Sequence, residues 1–323
     1  MSKPKRNNDP IALGDIENVR MAASQQAILD AAMRMQDQDA LEANALGFLC
    51  RELVQVSLPH SNPGNDLPVW TRENGNLSLT LQPKRYMKEG ELQCVGYPYG
   101  VVPRLILIHL CSEVVRTGER IVPLGSSMSQ FMQDIGISDV SGGRWGTISR
   151  FKDQLRRLLT ANINFTYDTD EVKVDENASI AKRVVLWWDA SLPEQEALFE
   201  SYVKLDYDFV ERISSHPVPL DKRMVAILQK SPLALDLYFW LNHRVSWLRK
   251  DQRISWRALA QQMGSEYSDV NNFKKAANKE LRKIKAAWPD LKIESARGGF
   301  ILKPSRPHVT SKKVFALPSV KKS

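Results

Sequence analysis

Residues 254–303, ISWRALAQQMGSEYSDVNNFKKAANKELRKIKAAWPDLKIESARGGFILK, are the stretch on which the fold of this chain turns. Ser255 is a good N-cap, and the residues from it to Gly264 predict a short helix, with Leu259 and Met263 on one face and Gly264 as a left-handed stop. After the turn SEYSD, apolar residues recur at Val270, Phe273, Ala277, Leu281, Ile284 and Trp288. Steps of three or four predict a second helix with one face in a core. At about 100° per residue, Lys275, Lys279 and Arg282 project opposite that face, while Asn271, Asn272, Asn278 and Lys283 lie to its sides and Lys274 adjoins them. Pro289 ends the helix, and LKIE and FILK read as short strands around a Ser-Ala-Arg-Gly-Gly tip carrying Arg297.

A lysine-rich face on an isolated helix is ordinary solvated surface. Here the order of parts carries more: a cap, a Gly-terminated helix, a second helix with a basic outer face, then a Gly-tipped hairpin. That order matches a winged helix, whose second helix enters the DNA major groove while the hairpin reaches an adjacent phosphate or the minor groove. Charge agrees. Residues 271–323 hold fourteen Lys/Arg against Glu280, Asp290 and Glu294, a net +11 where the whole chain has +8, so the remainder sums to −3. Polyanion binding belongs at this end. Asn271 and Asn272, near the start of the presented helix, are the candidate base readers, because Asn pairs bidentately with adenine.

Upstream, the pattern is extended and then repeated. VPLD leads from Val218 to a helix over Lys222–Gln229, after which Ser231-Pro232 opens LALDLYFWLNHRVSWLRK with Leu233, Leu237, Trp240, Leu241, Val245 and Leu248 inward. An earlier buried helix, RLILIHLCSEVVRTG, starts at Pro103 and stops at Gly118; IVPL, a Ser-capped SSMSQFMQDIG and the turn SDVSGGRWG then lead to TISRFKDQLRRLL. In this last helix Ile148, Phe151, Leu155, Leu158 and Leu159 point inward and Arg150, Asp153, Gln154 and Arg157 outward, with NINFTYD and RVVLWWD as wing strands. The order occurs twice, so the expected fold class is α+β with two tandem winged-helix domains, preceded by a helical segment and a β-hairpin. The boundaries expected are a helical extension over 1–68, a first domain over 69–212, a second over 213–306 and a basic tail over 307–323. Asp153 on the first presented helix opposes phosphate. Base reading is therefore assigned to the second domain, and the first supplies backbone contacts through Arg144, Arg150, Arg156 and Arg157, or a dimer interface.

At the front of the chain, residues 1–10 are polar and Ile11–Leu58 reads as a mildly acidic helical region, either a partner surface or a packing helix. VWTR, ENGN and LSLTL form a hairpin signature around Asn74-Gly75. No apolar run approaches the roughly 20 residues that span a bilayer and no signal peptide is evident, so a cytoplasmic protein is expected. Cys50, Cys94 and Cys111 are odd in number and widely spaced, suggesting neither disulfides nor zinc. There is no GxxxxGK[ST] loop, and His60, His109, His216, His243 and His308 are scattered singly. Asp206 and Asp208 fall in YVKLDYDFV, read as an alternating strand with both carboxylates on an exposed face. No catalytic residue, metal or cofactor is expected, and the chain is read as a non-enzyme.

Six stretches carry a family resemblance: GYPYGVVPRLILIHLCSEVVRT, LGSSMSQFMQDIGI, SGGRWGTISRFKDQLRRLL, SPLALDLYFWLNHR, ISWRALAQQMGSEY and GGFILKPSRPHV. The chain resembles the RepA-type plasmid replication initiators of Gram-negative bacteria over roughly 69–309. The resemblance implies binding to directly repeated sequences, iterons, in a plasmid origin, opening of adjacent A·T-rich DNA, and recruitment of the host replicative helicase and initiator. It also implies dimers that repress their own promoter while monomers start replication. A transcriptional repressor on the same fold is the alternative, and an origin-nicking enzyme is a distant third.

Overall fold

The structure, a computed structural model, describes residues 26, 28–143, 146–168, 173–185, 201–263, 267 and 269–309. The expected helix over Ile11–Leu58 is replaced by three elements in its described part. Helix α1 covers residues 28–37, β1 is Leu46–Cys50 and α2 is Arg51–Gln55. LGFLC is too short and too apolar for a surface helix. It runs antiparallel to Pro217–Asp221, in register from Leu46↔Asp221 to Cys50↔Pro217, and Phe48, Leu49 and Cys50 are buried. The segment before residue 69 therefore shares a sheet with the second half of the chain and is not a separate extension.

The hairpin of β2 (Trp70–Asn74) and β3 (Leu77–Gln82) is as expected, except that its two-residue loop is Gly75-Asn76, with Gly75 at φ 59°. A second hairpin, β4 (Arg85–Lys88) and β5 (Glu91–Cys94), was not expected; Glu89 and Gly90 make its turn, both at positive φ. Next come α3 (Val101–Thr117), closed by left-handed Gly118, and β6 (Ile121–Pro123). Helix α4 (Met128–Asp134) follows, where Ser127 Oγ accepts the Gln130 N–H, and then α5 (Thr147–Thr160).

After α5 the chain departs from expectation. NINFTYD forms β7 (Asn162–Asp168), which pairs with β3 and with β8 (Lys173–Ser179) in the sheet order β2-β3-β7-β8. Its buried Ile163 and Phe165 face Leu81 and Leu79 across the ladder, so apolar alternation on both strands selects this partner. The strand that pairs with β6 is instead β10 (Tyr202–Leu205), flanked by β9 (Ala181–Val185), in the order β6-β10-β9. YVKLDYDFV is strand only as far as Leu205. Asp206 then N-caps α6 (Tyr207–Ser215), its carboxylate accepting the Asp208 N–H, so the two carboxylates do not share a strand face.

In the second half the helices and the closing hairpin fall where expected, and two strands, β11 (Pro217–Asp221) and β12 (Gln252–Ser255), are additional: β11 precedes α7 (Lys222–Leu228) and α8 (Pro232–Trp247) capped by Ser231. Then β12 (Gln252–Ser255), α9 (Trp256–Gln262) capped by Ser255, α10 (Val270–Ala287), β13 (Ile293–Ala296) and β14 (Gly299–Leu302) complete the order, with the sheet β12-β14-β13. The apolar stripe of α10 begins at Phe273 rather than Val270, which is exposed in the first turn; Gly264 lies outside the described residues.

Charged and hydrogen-bonded joints tie the halves together. Arg104 of α3 and Asp236 of α8, both nearly inaccessible, form a bidentate pair at 2.7 Å for both bonds, and His60 Nε2 lies 2.8 Å from Asp236 Oδ2. Arg104 also donates to the carbonyls of Leu58 at 2.7 Å and Gly100 at 2.6 Å. Arg72 of β2 donates to Met263 O at the end of α9, at 2.9 Å. Residues 307–309, expected in the tail, pack back instead: Tyr238 Oη is 3.0 Å from His308 Nδ1, and Val309 N–H reaches Asn242 Oδ1. No helix among the described residues is long and apolar enough to cross a membrane.

Candidate nucleic-acid interface

Helix α10 presents the site because its two faces differ so sharply. Phe273, Ala277, Leu281, Ile284 and the C-cap Trp288 are buried, which fixes the helix against α8 and α9. Lys275, Lys279 and Arg282 are then exposed on the opposite surface, with Asn271, Asn272 and Lys274 exposed beside it and Asn278 half-buried at its margin. Among the described residues none of these four cations makes an ion pair. Glu280, the carboxylate on the flank, is buried and engaged by Lys283 at 2.8 Å. Sequence reasoning missed Asp269, the N-cap, whose carboxylate accepts the Asn271 N–H at 2.9 Å and occupies the positive end of the helix.

The hairpin sets Arg297 in the two-residue loop between β13 and β14, where Gly298 takes φ 75° and Arg297 is exposed. Packing of Trp256 on Phe300, ring centroids 5.3 Å apart, and a bond from Arg253 to the Arg297 carbonyl hold the loop against the start of α9.

The arginines of the first half separate. Arg150 and Arg156 are exposed on α5, Arg156 standing 5.9 Å over the Tyr86 ring, and Arg144 lies outside the described residues. Arg157 turns inward: it pairs with Asp153 at 2.8 Å, donates to Tyr97 O and lies over Tyr99. A Cβ at Gly96 would come within 2.6 Å of its Nη1, so position 96 is glycine where this guanidinium packs. Gln154, expected outward, is buried and accepts the Tyr99 N–H at 2.9 Å. The first presented helix thus offers fewer free cations than its sequence suggests, and Asp153 neutralises Arg157 instead of opposing phosphate.

These features define an α+β protein that, among the described residues, carries a cluster of exposed cations without ion pairs on one helix and an exposed arginine on an adjoining hairpin. A family model described as "Plasmid encoded RepA protein" matches residues 97–258, just over half of the chain. The chain belongs to that family, a family of plasmid replication initiators. The match runs from the loop before α3 into α9, so α10 and its hairpin lie beyond it and rest on their own geometry. No curated protein matches the chain. Among solved structures it is similar to domains 2 and 3 of RctB, crystallised as selenomethionine derivatives, at 11% identity, with 78% of this chain and 95% of that chain covered and a TM-score of 0.46.

Proposed function

We propose that the protein initiates plasmid replication by binding directly repeated duplex DNA, iterons, at its origin through α10. The observation that carries the reading is the exposed face of Lys274, Lys275, Lys279 and Arg282, unpaired among the described residues and flanked by Asn271 and Asn272. The order helix, strand, helix, helix, strand, strand, with the first strand beside the last, supports a winged helix in the second half. In the first half α3, β6, α4, α5, β9 and β10 repeat that order around an inserted β7–β8, with the same sheet arrangement. In this reading α10 lies in the major groove with Asn271 and Asn272 at base edges, the cations on phosphates, and Arg297 reaching the neighbouring groove. Arg150 and Arg156 add backbone contacts from the first half.

No catalytic step is required. Several copies on adjacent repeats bend and untwist the duplex, so binding energy lowers the cost of melting nearby A·T-rich steps, and the opened site receives the host helicase. Dimers of the same chain repress its promoter. The test is a footprint of the purified chain on the DNA flanking its gene, followed by permanganate probing with host factors present. Repeated protected sites with reactive thymines beside them are expected. A single inverted-repeat site without reactive thymines would make the protein a repressor.

A further inference from the structure

A cleft of about 450 Å³ opens beside β12, away from the cationic face of α10. It is lined by the whole of β12, by Trp240, Arg244 and Trp247 of α8, by Gln262 of α9, and on the far side by Gln55 and Asn74. Its size falls in the range of ordinary binding clefts. Two features mark it out. First, among the described residues β12 is an outer strand, paired with β14 on one side only, and all four of its residues line the cleft. Uncovered edges are normally blunted or capped because they recruit another strand. Second, the cleft is cationic and carries an exposed aromatic ring. Trp247 is 45% exposed, with the Arg244 guanidinium 4.2 Å over its ring and its Nε bonded to Gln252 Oε1 at 2.9 Å. Arg253 is exposed on the strand itself, and in the chain from 249 to 257 Arg249, Lys250 and Arg257 are also exposed, against one exposed carboxylate, Asp251.

We propose that this cleft docks an extended acidic segment of a partner protein, which adds as a strand to β12 and places carboxylates on Arg244 and Arg253. Main-chain bonds supply the affinity of such strand addition, and side chains at alternate positions supply the selection. The edge decides between polyanions: a peptide offers amide donors and carbonyl acceptors at strand spacing, whereas a nucleic-acid strand offers neither and would leave the β12 backbone unpaired. Charge decides the composition: Arg244 is bonded to Gln252 and stacked on Trp247, Arg253 donates to the Arg297 carbonyl, and among the described residues neither has a carboxylate partner. The cleft shares no residue with the cationic face of α10, and it adjoins the hairpin through Arg253, which donates to the Arg297 carbonyl.

The test is fluorescence anisotropy of the full-length chain with a fluorescein-labelled hexapeptide of alternating Glu and Val. Saturable binding is expected, weakened about tenfold by Arg244→Gln, with the thermal midpoint of the variant unchanged. N-methylation of the amides along one edge of the peptide should weaken binding about tenfold, and methylation along the other edge should leave it unmoved. Absence of binding up to the peptide's solubility limit, or equal tolerance of methylation on both edges, would overturn strand addition. Tighter binding of a labelled oligothymidylate, lost in Arg244→Gln, would reassign the cleft to a nucleic-acid strand.

Discussion

Replacing Arg104 with Met removes the centre of the joint between α3 and α8. Asp236, 4% exposed, is left with His60 as its remaining partner, and the carbonyls of Leu58 and Gly100 each lose the Arg104 guanidinium, Leu58 keeping Arg72 at 3.4 Å. Breaking a buried ion pair by removing one member costs about 3–5 kcal/mol, and Met roughly preserves the volume, so a loss of about 4 kcal/mol is expected at pH near 8. The loss should depend on pH. Burial is the first cause holding His60 below its usual pKa, opposed by Asp236 and reinforced by the Arg104 cation. Without that cation the Asp236 carboxylate raises His60, which then protonates and partly replaces the arginine. A group whose folded pKa is raised stabilises below its unfolded pKa and loses that contribution as pH rises, so the variant should be about 1–2 kcal/mol less impaired near pH 6 than near pH 8. Urea unfolding followed by circular dichroism, wild type and variant at both pH values, measures this. The double variant Arg104→Met with Asp236→Leu should recover most of the loss, since no buried charge is then stranded. A single variant within about 1 kcal/mol of wild type, or a loss equal at both pH values, would refute the reasoning.

Single Ala substitutions of Lys275, Lys279 and Arg282 should each weaken duplex binding and lower the salt slope by about 1, read from affinities across a salt series. Arg157→Ala should instead lower the thermal midpoint and leave the salt slope unchanged, because its guanidinium is engaged by Asp153 and Tyr97. Asn271→Ala or Asn272→Ala should relax preference at a single base pair by about 1–3 kcal/mol, measured by competition with mutated sites. His308 is held by burial at a pKa of about 4, so it must charge to unfold below its ordinary value. Its contribution, at most about 3 kcal/mol, is present above pH 6.5 and lost as pH falls toward 4. His308→Gln should flatten the melting curve against pH in that window.

Local signals in the sequence carried the helices and the final hairpin. Ser127, Ser231 and Ser255 cap where a cap is needed, Gly118 stops α3, and the stripe from Phe273 to Trp288 sets which face of α10 is outward. Long-range pairing was not legible. Nothing within LGFLC names PVPLD as its partner far along the chain, and NINFTYD alternates equally well for a wing or for the edge of β3. The β4–β5 hairpin escaped because RYMK and ELQC alternate poorly, leaving Met87 and Leu92 exposed opposite each other. Helical periodicity matched the exposure of the α10 cations but misread Arg157 and Gln154, whose partners at Tyr97 and Tyr99 lie on a distant loop. The cations beside β12 are spread over a helix end, a turn and a strand, so no single period gathers them.

The most direct test of an initiator that reads DNA through α10 is replication of a circle carrying this gene and its flanking DNA, with the gene intact, frameshifted, or carrying Lys275→Ala, Lys279→Ala and Arg282→Ala together. The circle should persist in a suitable bacterium with the intact gene alone, the triple variant failing despite a normal melting curve. Persistence with the triple variant would remove α10 from the mechanism, and loss of the circle with the intact gene would remove initiation itself.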